Sequence, residues 1–279
     1  MTAATAQFQG DYKPRFFNRE RLSGILPPVI GLGTGVIVWQ ALGMVWNQPF
    51  FPPLSVVFVR LAELNDQDKI IPNLLGSLRN LAIAFAFSGA AGVTIGVLMG
   101  AFRKVEMALN IYVYAMLTAP SLVFAPIFFA IYGIKNVQMT VLSIIVLYSI
   151  WIIVVNTSSA IRSVPFSLVE MGRSYCASER QLFVKIILPA SLPMIFAGLR
   201  LGMGRAVKGM INGEMFIVAV GLGGVVEDEG QQFNAAGVLG VLLVIIVVAL
   251  VMSKLVQIVD ARMTSWLPST ARQGRTRRA

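Results

Sequence analysis

The stretch EMGRSYCASERQLFVKIILP, Glu170 to Pro189, is the key to this chain. Glu170, Arg173, Glu179, Arg180 and Lys185 make it too polar to cross a bilayer. It is nevertheless regular. Pro165 just upstream suits a helix start, Val169 to Tyr175 supplies successive amphipathic turns, and Ala177 with Ser178 forms a break. Beyond the break, Leu182, Phe183, Ile186 and Ile187 fall on one helical face. Residues 162–189 therefore read as a hairpin of two short helices. Such a hairpin either lies flat on a membrane or docks into a groove of a partner.

Everything around the hairpin is built for lipid. Of 279 residues, 56% are hydrophobic and 13% charged, and the mean hydropathy is +0.75. That composition excludes a charge-coated soluble domain. Apolar runs long enough to cross about 30 Å of hydrocarbon as helices are expected near Ile25–Trp46, Leu74–Ala101, Val105–Tyr132, Val137–Ala160, Leu192–Leu222 and Ala235–Val259. The fold class is an all-α membrane protein with about six transmembrane helices. No alternating strand pattern suggests a barrel.

Basic residues in short loops are retained on the cytoplasmic side. Lys13, Arg15, Arg19 and Arg21 precede the first span, Arg103 and Lys104 follow the second, and Arg162, Arg173, Arg180 and Lys185 mark the hairpin. Arg262, Arg272, Arg275, Arg277 and Arg278 lie at or beyond the last span's end. The opposite loops carry Glu63, Asp66 and Asp68, and Glu227, Asp228 and Glu229. This divides the chain into a cytoplasmic segment over 1–24, a membrane domain over 25–259 with the hairpin on its cytoplasmic side, and a basic cytoplasmic tail over 260–279. The net charge of +10 reflects these retention signals and anionic lipid rather than nucleic acid.

Several functions are disfavoured by what the chain contains. It has one cysteine, Cys176, and no histidine, so an internal disulfide is impossible and the commonest general base is missing. No residue set suggests a metal or nucleophilic site. No G-x-x-x-x-G-K-[ST] loop is present to cradle phosphates, so any energy comes from a partner ATPase or an ion gradient.

Three spans carry informative detail. In the second, Ser88, Gly92, Gly96 and Gly100 stack on one face and permit close helix packing. In the third, TAPSLVFAPIFFAIYG, Pro120 and Pro126 each remove a backbone donor, so a kink or local unwinding beside a gated path is expected. The fifth contains Arg200, Arg205, Lys208, Asn212 and Glu214. A mid-bilayer charge costs roughly 2.5 to 3.5 kcal/mol on insertion scales unless it meets protein or water. Arg205, Lys208 and Asn212 share one face, Gly198, Gly202, Gly209 and Gly213 share a neighbouring one, and Glu214 points away from both. Arg205, Lys208, Asn212, Glu214, Pro120 and Pro126 are the candidate substrate-path residues.

The hairpin resembles the cytoplasmic "EAA" loop of ABC importer permeases, in which a Glu and small residues lead to a Gly, nine residues and I-x-L-P. Glu170 holds the Glu position, Met171 and Gly172 those of the alanines, and Cys176 that of the Gly. Ala177 to Lys185 supply the nine intervening residues before Ile186, Leu188 and Pro189. The likeness extends through FPPLSVVFVRL, SLRNLAIAFAFSGAAGVTIGVLMG, APSLVFAPIFFAIYGI and LPASLPMIFAGLRLGMG to Asp260–Trp266, and is with the nitrate, sulfonate and taurine branch. Asn80 stands where that branch usually has Arg, and Ile131 with Tyr132 where it has Trp-Phe.

The resemblance implies a type I importer permease of the bacterial plasma membrane, multi-pass and with both termini cytoplasmic. It implies a partner copy, usually making a homodimer, and an extracytoplasmic binding protein. Cytoplasmic ATPase subunits would hold the ATP and Mg, with no cofactor on this chain. Glu170, Met171, Gly172, Arg173, Cys176, Ala177, Ser178, Ile186, Leu188 and Pro189 would form the ATPase-coupling loop. The cargo expected is a small anion. The alternative is an ion-gradient-driven secondary transporter or channel, although the paired broken helices of two related halves are not visible.

Overall fold

The computed structural model describes residues 19–46, 48–217 and 221–263, with side chains from residue 27 onward. The basic leading residues through Asn18 and the tail beyond Met263, Trp266 included, lie outside the described residues. Among the described residues there are helices and no strands.

Two compact units meet in the chain between Val56 and Val57. The first contains α1, Arg19–Trp46, and the proline loop after it. The first span was expected from near Ile25, but the helix already starts at Arg19 and carries Pro27 and Pro28 inside it. The loop is tied back to α1 by aromatic and polar contacts. Trp39 Nε1 donates to Pro52 O at 3.2 Å, and Phe51 lies against Trp39 and Trp46. Gln40 and Ser55 exchange two hydrogen bonds of 3.1 and 3.0 Å. Helix α2, Leu54–Asp66, follows.

The second unit is organised around α6, Val137–Arg162, which packs between α3, Ile70–Ala101, and α9, Leu188–Ile217. Glycine makes both approaches possible. On α3, a methyl group added at Gly92 would sit 2.9 Å from Ile153, at Gly96 2.5 Å from Thr157, and at Gly100 2.6 Å from Ile161. Ser149 Oγ donates to Ser88 Oγ at 2.9 Å in the same stripe. The partners rise together in number, so α3 and α6 run alongside in the same direction. On α9 the order is reversed: Gly198 abuts Asn156, Gly202 Ile153, Gly209 Tyr148 and Gly213 Ile144. Without a hydrophobic drive between helices in lipid, this close van der Waals contact holds the bundle.

The third span is broken outright. Helix α4, Arg103–Thr118, and the segment Ser121–Tyr132, whose α-helical part is α5, Ala125–Tyr132, meet at 97° across Ala119 and Pro120. Pro120 lies at the break and Pro126 in the first turn of α5, where its missing N–H costs nothing. Counting this pair as one, the described residues contain six candidate spans, five without it. Helix α11, Ala235–Met263, is the last.

The expected fifth span ran to Leu222, but α9 stops at Ile217 and Leu222 belongs to a separate helix, α10, Gly221–Gln231. Residues 218–220 lie outside the described residues; α10 opens at Gly221, whose φ of +70° is a left-handed conformation that suits glycine. Helix α10 packs back against α3, α9 and α11, with Gly221 to Val226 all buried. Glu227, Asp228 and Glu229, expected as an outer loop, occupy its last turns, and Glu229 is fully buried.

Candidate coupling hairpin and translocation face

Helix α7, Phe166–Ser174, begins directly after Pro165. It closes through three backbone bonds: Tyr175 N–H to Met171 O at 3.3 Å, Cys176 N–H to Arg173 O at 2.8 Å and Ala177 N–H to Gly172 O at 3.1 Å. Cys176, in the glycine position of the resemblance, has φ of +56°. The turn thus closes in the left-handed geometry that a glycine would adopt without strain. Ser178 then caps α8, Glu179–Leu182. Its Oγ accepts from Gln181 N–H at 3.4 Å while its own N–H donates to Gln181 Oε1 at 3.0 Å.

The two arms pack tightly at Gly172, where a methyl group would lie 2.5 Å from Ile186 and 2.7 Å from Leu182. Arg173 pairs with Glu179 across the exposed side at 3.5 Å. The second arm does not end before the membrane span. It passes through a π-helical turn, Phe183–Ile187, directly into α9, so Leu188 and Pro189 form the first turn of that helix. Leu188 N–H donates back to Phe183 O, so the ladder runs unbroken up to Pro189, which has no N–H to add to it. The hairpin is therefore a continuation of the α9 rod. Glu170, Met171, Arg173, Cys176 and Ser178 are exposed around its tip, Ala177, Ile186, Leu188 and Pro189 are half-buried, and Gly172 is buried.

The polar residues of α9 separate into distinct environments. Arg200 donates to Asp260 on α11 at 2.9 Å. Arg205 and Lys208 are exposed, on a stripe that includes Leu201, half-buried Asn212 and Phe216. Neither cation has an ion pair among the described residues. Asn212 Nδ2 donates to Tyr148 Oη at 2.8 Å. At the end of α9 remote from the hairpin, Phe216 meets Phe129 of α5 edge-on, with ring centroids 6.5 Å apart. Pro120 and Pro126 are exposed at the α4–α5 break.

Glu214 does not belong to this face, a correction to its assignment to the substrate path. It is fully buried on the opposite side. Its Oε2 accepts Ser77 O–H at 2.8 Å and Gly223 N–H at 3.0 Å, and Ser77 Oγ accepts Leu222 N–H at 2.9 Å. The cause is the folding back of α10, whose first N–H groups lack helical partners: Leu222 N–H is met by Ser77 and Gly223 N–H by the carboxyl group. Ser77 is a residue the sequence reading did not single out. So is Arg60, whose guanidinium holds buried Glu229 through bonds of 2.9 to 3.2 Å. The hydrogen bonds to Glu229 and Glu63 raise the Arg60 pKa above its ordinary value.

The end of α6 nearest the hairpin in sequence contributes one more connection. Arg162, the last residue of α6, pairs with Glu106 in the first turn of α4 and reaches Ser158 Oγ at 2.5 Å. Among the described residues no group of His, Cys, Asp and Glu could hold a metal ion.

The chain is 28% identical to the bicarbonate transport system permease protein CmpB of Synechocystis sp., over 77% of this chain and 80% of that one. It is 24% identical to the nitrate import permease protein NrtB of the same organism (85% and 88%) and 27% to the putative aliphatic sulfonates transport permease protein SsuC of Bacillus subtilis (87% and 86%). Among solved structures, an amino acid ABC transporter with histidines matches at a TM-score of 0.59 and 17% identity, over 72% of this chain and 97% of that chain, which shows the type I importer fold. The family pattern described as "Binding-protein-dependent transport system inner membrane component" covers residues 92–265. A broken bundle with a polar hairpin continuous with one of its spans is thus a multi-pass transport permease subunit rather than an enzyme, and the chain belongs to the binding-protein-dependent ABC importer permease family.

Proposed function

We propose that the chain forms half of a two-fold permease that imports a small anion by alternating access, driven by ATP hydrolysis on separate cytoplasmic subunits. The observation that carries this reading is the pair Arg205 and Lys208, exposed on one stripe of α9 with no ion pair among the described residues. The acids that might have neutralised them are engaged elsewhere, Glu214 by Ser77 and Gly223, and Asp260 by Arg200. In a partly desolvated path such cations attract an anion far more strongly than in water and repel a cation. The relatives' cargoes, bicarbonate, nitrate and aliphatic sulfonates, are all anionic, which supports the same class.

In this reading the tip of the hairpin, from Glu170 to Ser178, docks into the ATPase, which holds ATP and Mg. A second copy completes the wall around the path, since closed two-fold pairs are the commonest assembly. The binding protein delivers cargo from the other side, and both termini face the cytoplasm.

The test is Arg205→Ala and Lys208→Ala, singly and together, in the reconstituted complex. Anion uptake should fall at least tenfold in the double variant while assembly and basal hydrolysis persist. Unchanged uptake, or purification with a cationic cargo, would overturn the proposal.

A further inference from the structure

Two cations attract any anion but give no direction, and they hold what they attract. A path must bind its ion well enough to admit it and weakly enough to release it. On the α9 stripe a neutral hydrogen-bond donor stands beside the charges. Asn212 lies one helical turn from Lys208 on the same face, and its Nδ2 donates to Tyr148 Oη at 2.8 Å. A phenol has one O–H donor and lone pairs that accept. With Asn212 bound to a lone pair, the Tyr148 hydrogen remains, and among the described residues no acceptor receives it.

The surroundings fix where that hydroxyl lies. Gly209 leaves room for the Tyr148 side chain against α9, since a methyl group there would sit 2.9 Å from Tyr148 Cβ and 3.0 Å from Cγ. Tyr148 and Asn212 are both half-buried, at the margin between the α6–α9 seam and the open stripe. One turn further along α9, the Phe129–Phe216 pair brings an apolar wall from α5 against the same stripe. Apolar walls lower the local dielectric and strengthen a donor aimed at an anion.

We propose that Tyr148, oriented by Asn212, is the neutral donor of the anion path, giving its O–H to an oxygen of a small oxoanion of the nitrate, bicarbonate or sulfonate class next to Lys208. The assignment rests on the anion-path reading of the α9 stripe. It makes Asn212 a positioning residue that acts through Tyr148.

The experiment uses the complete complex in proteoliposomes, with nitrate, bicarbonate and methanesulfonate supplied in turn on saturated binding protein. The quantity read is anion moved per ATP hydrolysed, together with the preference among the three. Tyr148→Phe removes the donor, and with it the acceptor of Asn212 Nδ2, and should lower the ratio for the carried anion about tenfold, the worth of one hydrogen bond of about 1.4 kcal/mol. Binding-protein-stimulated hydrolysis should persist, whereas a merely structural hydroxyl would change assembly and leave the ratio unaltered. Asn212→Leu keeps the phenol but frees it, and a smaller loss in the same direction is expected. An assembled Tyr148→Phe complex with the wild-type ratio and preference overturns the assignment. Should that variant not assemble, Asn212→Leu decides by the same readout. If Tyr148→Phe is silent while the Arg205/Lys208 double variant abolishes uptake, the donor assignment alone fails. If both are silent, the anion path itself is wrong.

Discussion

Ser77 and Glu214, 137 residues apart in sequence, meet in the interior of the bundle with the hydroxyl donating to the carboxyl group at 2.8 Å. The pair is completed by the start of α10, whose Leu222 and Gly223 N–H groups are received by Ser77 and Glu214. Three elements, α3, α9 and α10, are therefore pinned at one fully buried polar point. Leaving a buried donor or acceptor unmet costs about 1 to 3 kcal/mol each.

Glu214→Leu should accordingly lower the stability of the purified permease by several kcal/mol, because Ser77 O–H and Gly223 N–H both lose their acceptor. Glu214→Gln keeps a carbonyl acceptor and should be milder. Gly221→Ala should approach the severity of the leucine variant, since its φ of +70° disfavours a side chain and an added methyl group overlaps the Glu214 carboxyl. Thermal unfolding in detergent ranks the three. A glutamine variant less stable than the leucine one would contradict the arrangement.

A second buried carboxylate makes a different forecast. Glu229 is held by Arg60, which stays partly exposed. Removing one partner of such a pair strands a charge and costs about 3 to 5 kcal/mol, whereas replacing both by apolar residues of similar size is often neutral. Arg60→Ala should therefore be poorly stable, and Arg60→Met with Glu229→Leu should recover much of the loss. Melting temperatures of the single and double variants check this, and a double variant worse than Arg60→Ala would refute it.

The glycine stripe of α3 allows a test with an internal control. A methyl group at Gly96 would press on Thr157 at 2.5 Å and on Val154 O at 2.7 Å, while at Gly76 it meets nothing within 4 Å. Gly96→Ala should destabilise by about 1 to 3 kcal/mol through overpacking. Gly76→Ala should be neutral or stabilising by up to about 1 kcal/mol from helix propensity. Equal melting temperatures for the two would show that α3 and α6 are not in this contact.

These contacts also mark what the sequence made legible. The stripe Ser88, Gly92, Gly96 and Gly100 and the stripe Gly198, Gly202, Gly209 and Gly213 foretold two packing faces, because a period of four on a helix is local information. The hairpin was legible for the same reason, its spacing and its break at Ala177 and Ser178 being local, although the capping role of Ser178 was not read. The Ser77–Glu214 and Arg60–Glu229 pairs were not, since nothing near either acid in sequence names a partner so far along the chain. Glu229 looked like one of three solvated acids. The division between α9 and α10 was missed because the chain stays apolar from Phe216 to Val226, and the left-handed backbone at Gly221 is not legible in that pattern. Pro120 announced the break in the third span, but its 97° angle depends on packing against other helices.

The hairpin turn offers a gain rather than a loss. Cys176 adopts φ of +56°, a conformation that costs a side-chain-bearing residue about 1 to 2 kcal/mol. Cys176→Gly should stabilise the turn by about 1 kcal/mol or less, since the freer glycine also loses more entropy on folding. Cys176→Val, branched at Cβ, should destabilise it. Proteolysis rates of the hairpin in detergent micelles report the order, and a valine variant more resistant than the glycine one would exclude this backbone.

The most exposed part of the tip bears on how motion reaches the membrane. Tyr175, 83% exposed, stands beside Cys176 with Met171 half exposed one turn earlier. Tyrosine in the centre of an interface is a frequent anchor, and truncating such an anchor costs 2 kcal/mol or more, about thirty-fold in affinity. Since the second arm passes through Phe183–Ile187 into α9, a subunit gripping this tip would move the Arg205–Lys208 stripe without an intervening hinge loop. Tyr175→Ala should therefore weaken ATPase association at least thirty-fold and lower coupled uptake, with the melting temperature of the isolated permease unchanged. Glu170→Arg should act in the same direction, while Lys254→Ala, on α11 and remote in sequence from the tip, should not. Co-purification at graded ATPase concentration measures the shift. Full association by both tip variants would show that the partner binds elsewhere on the permease.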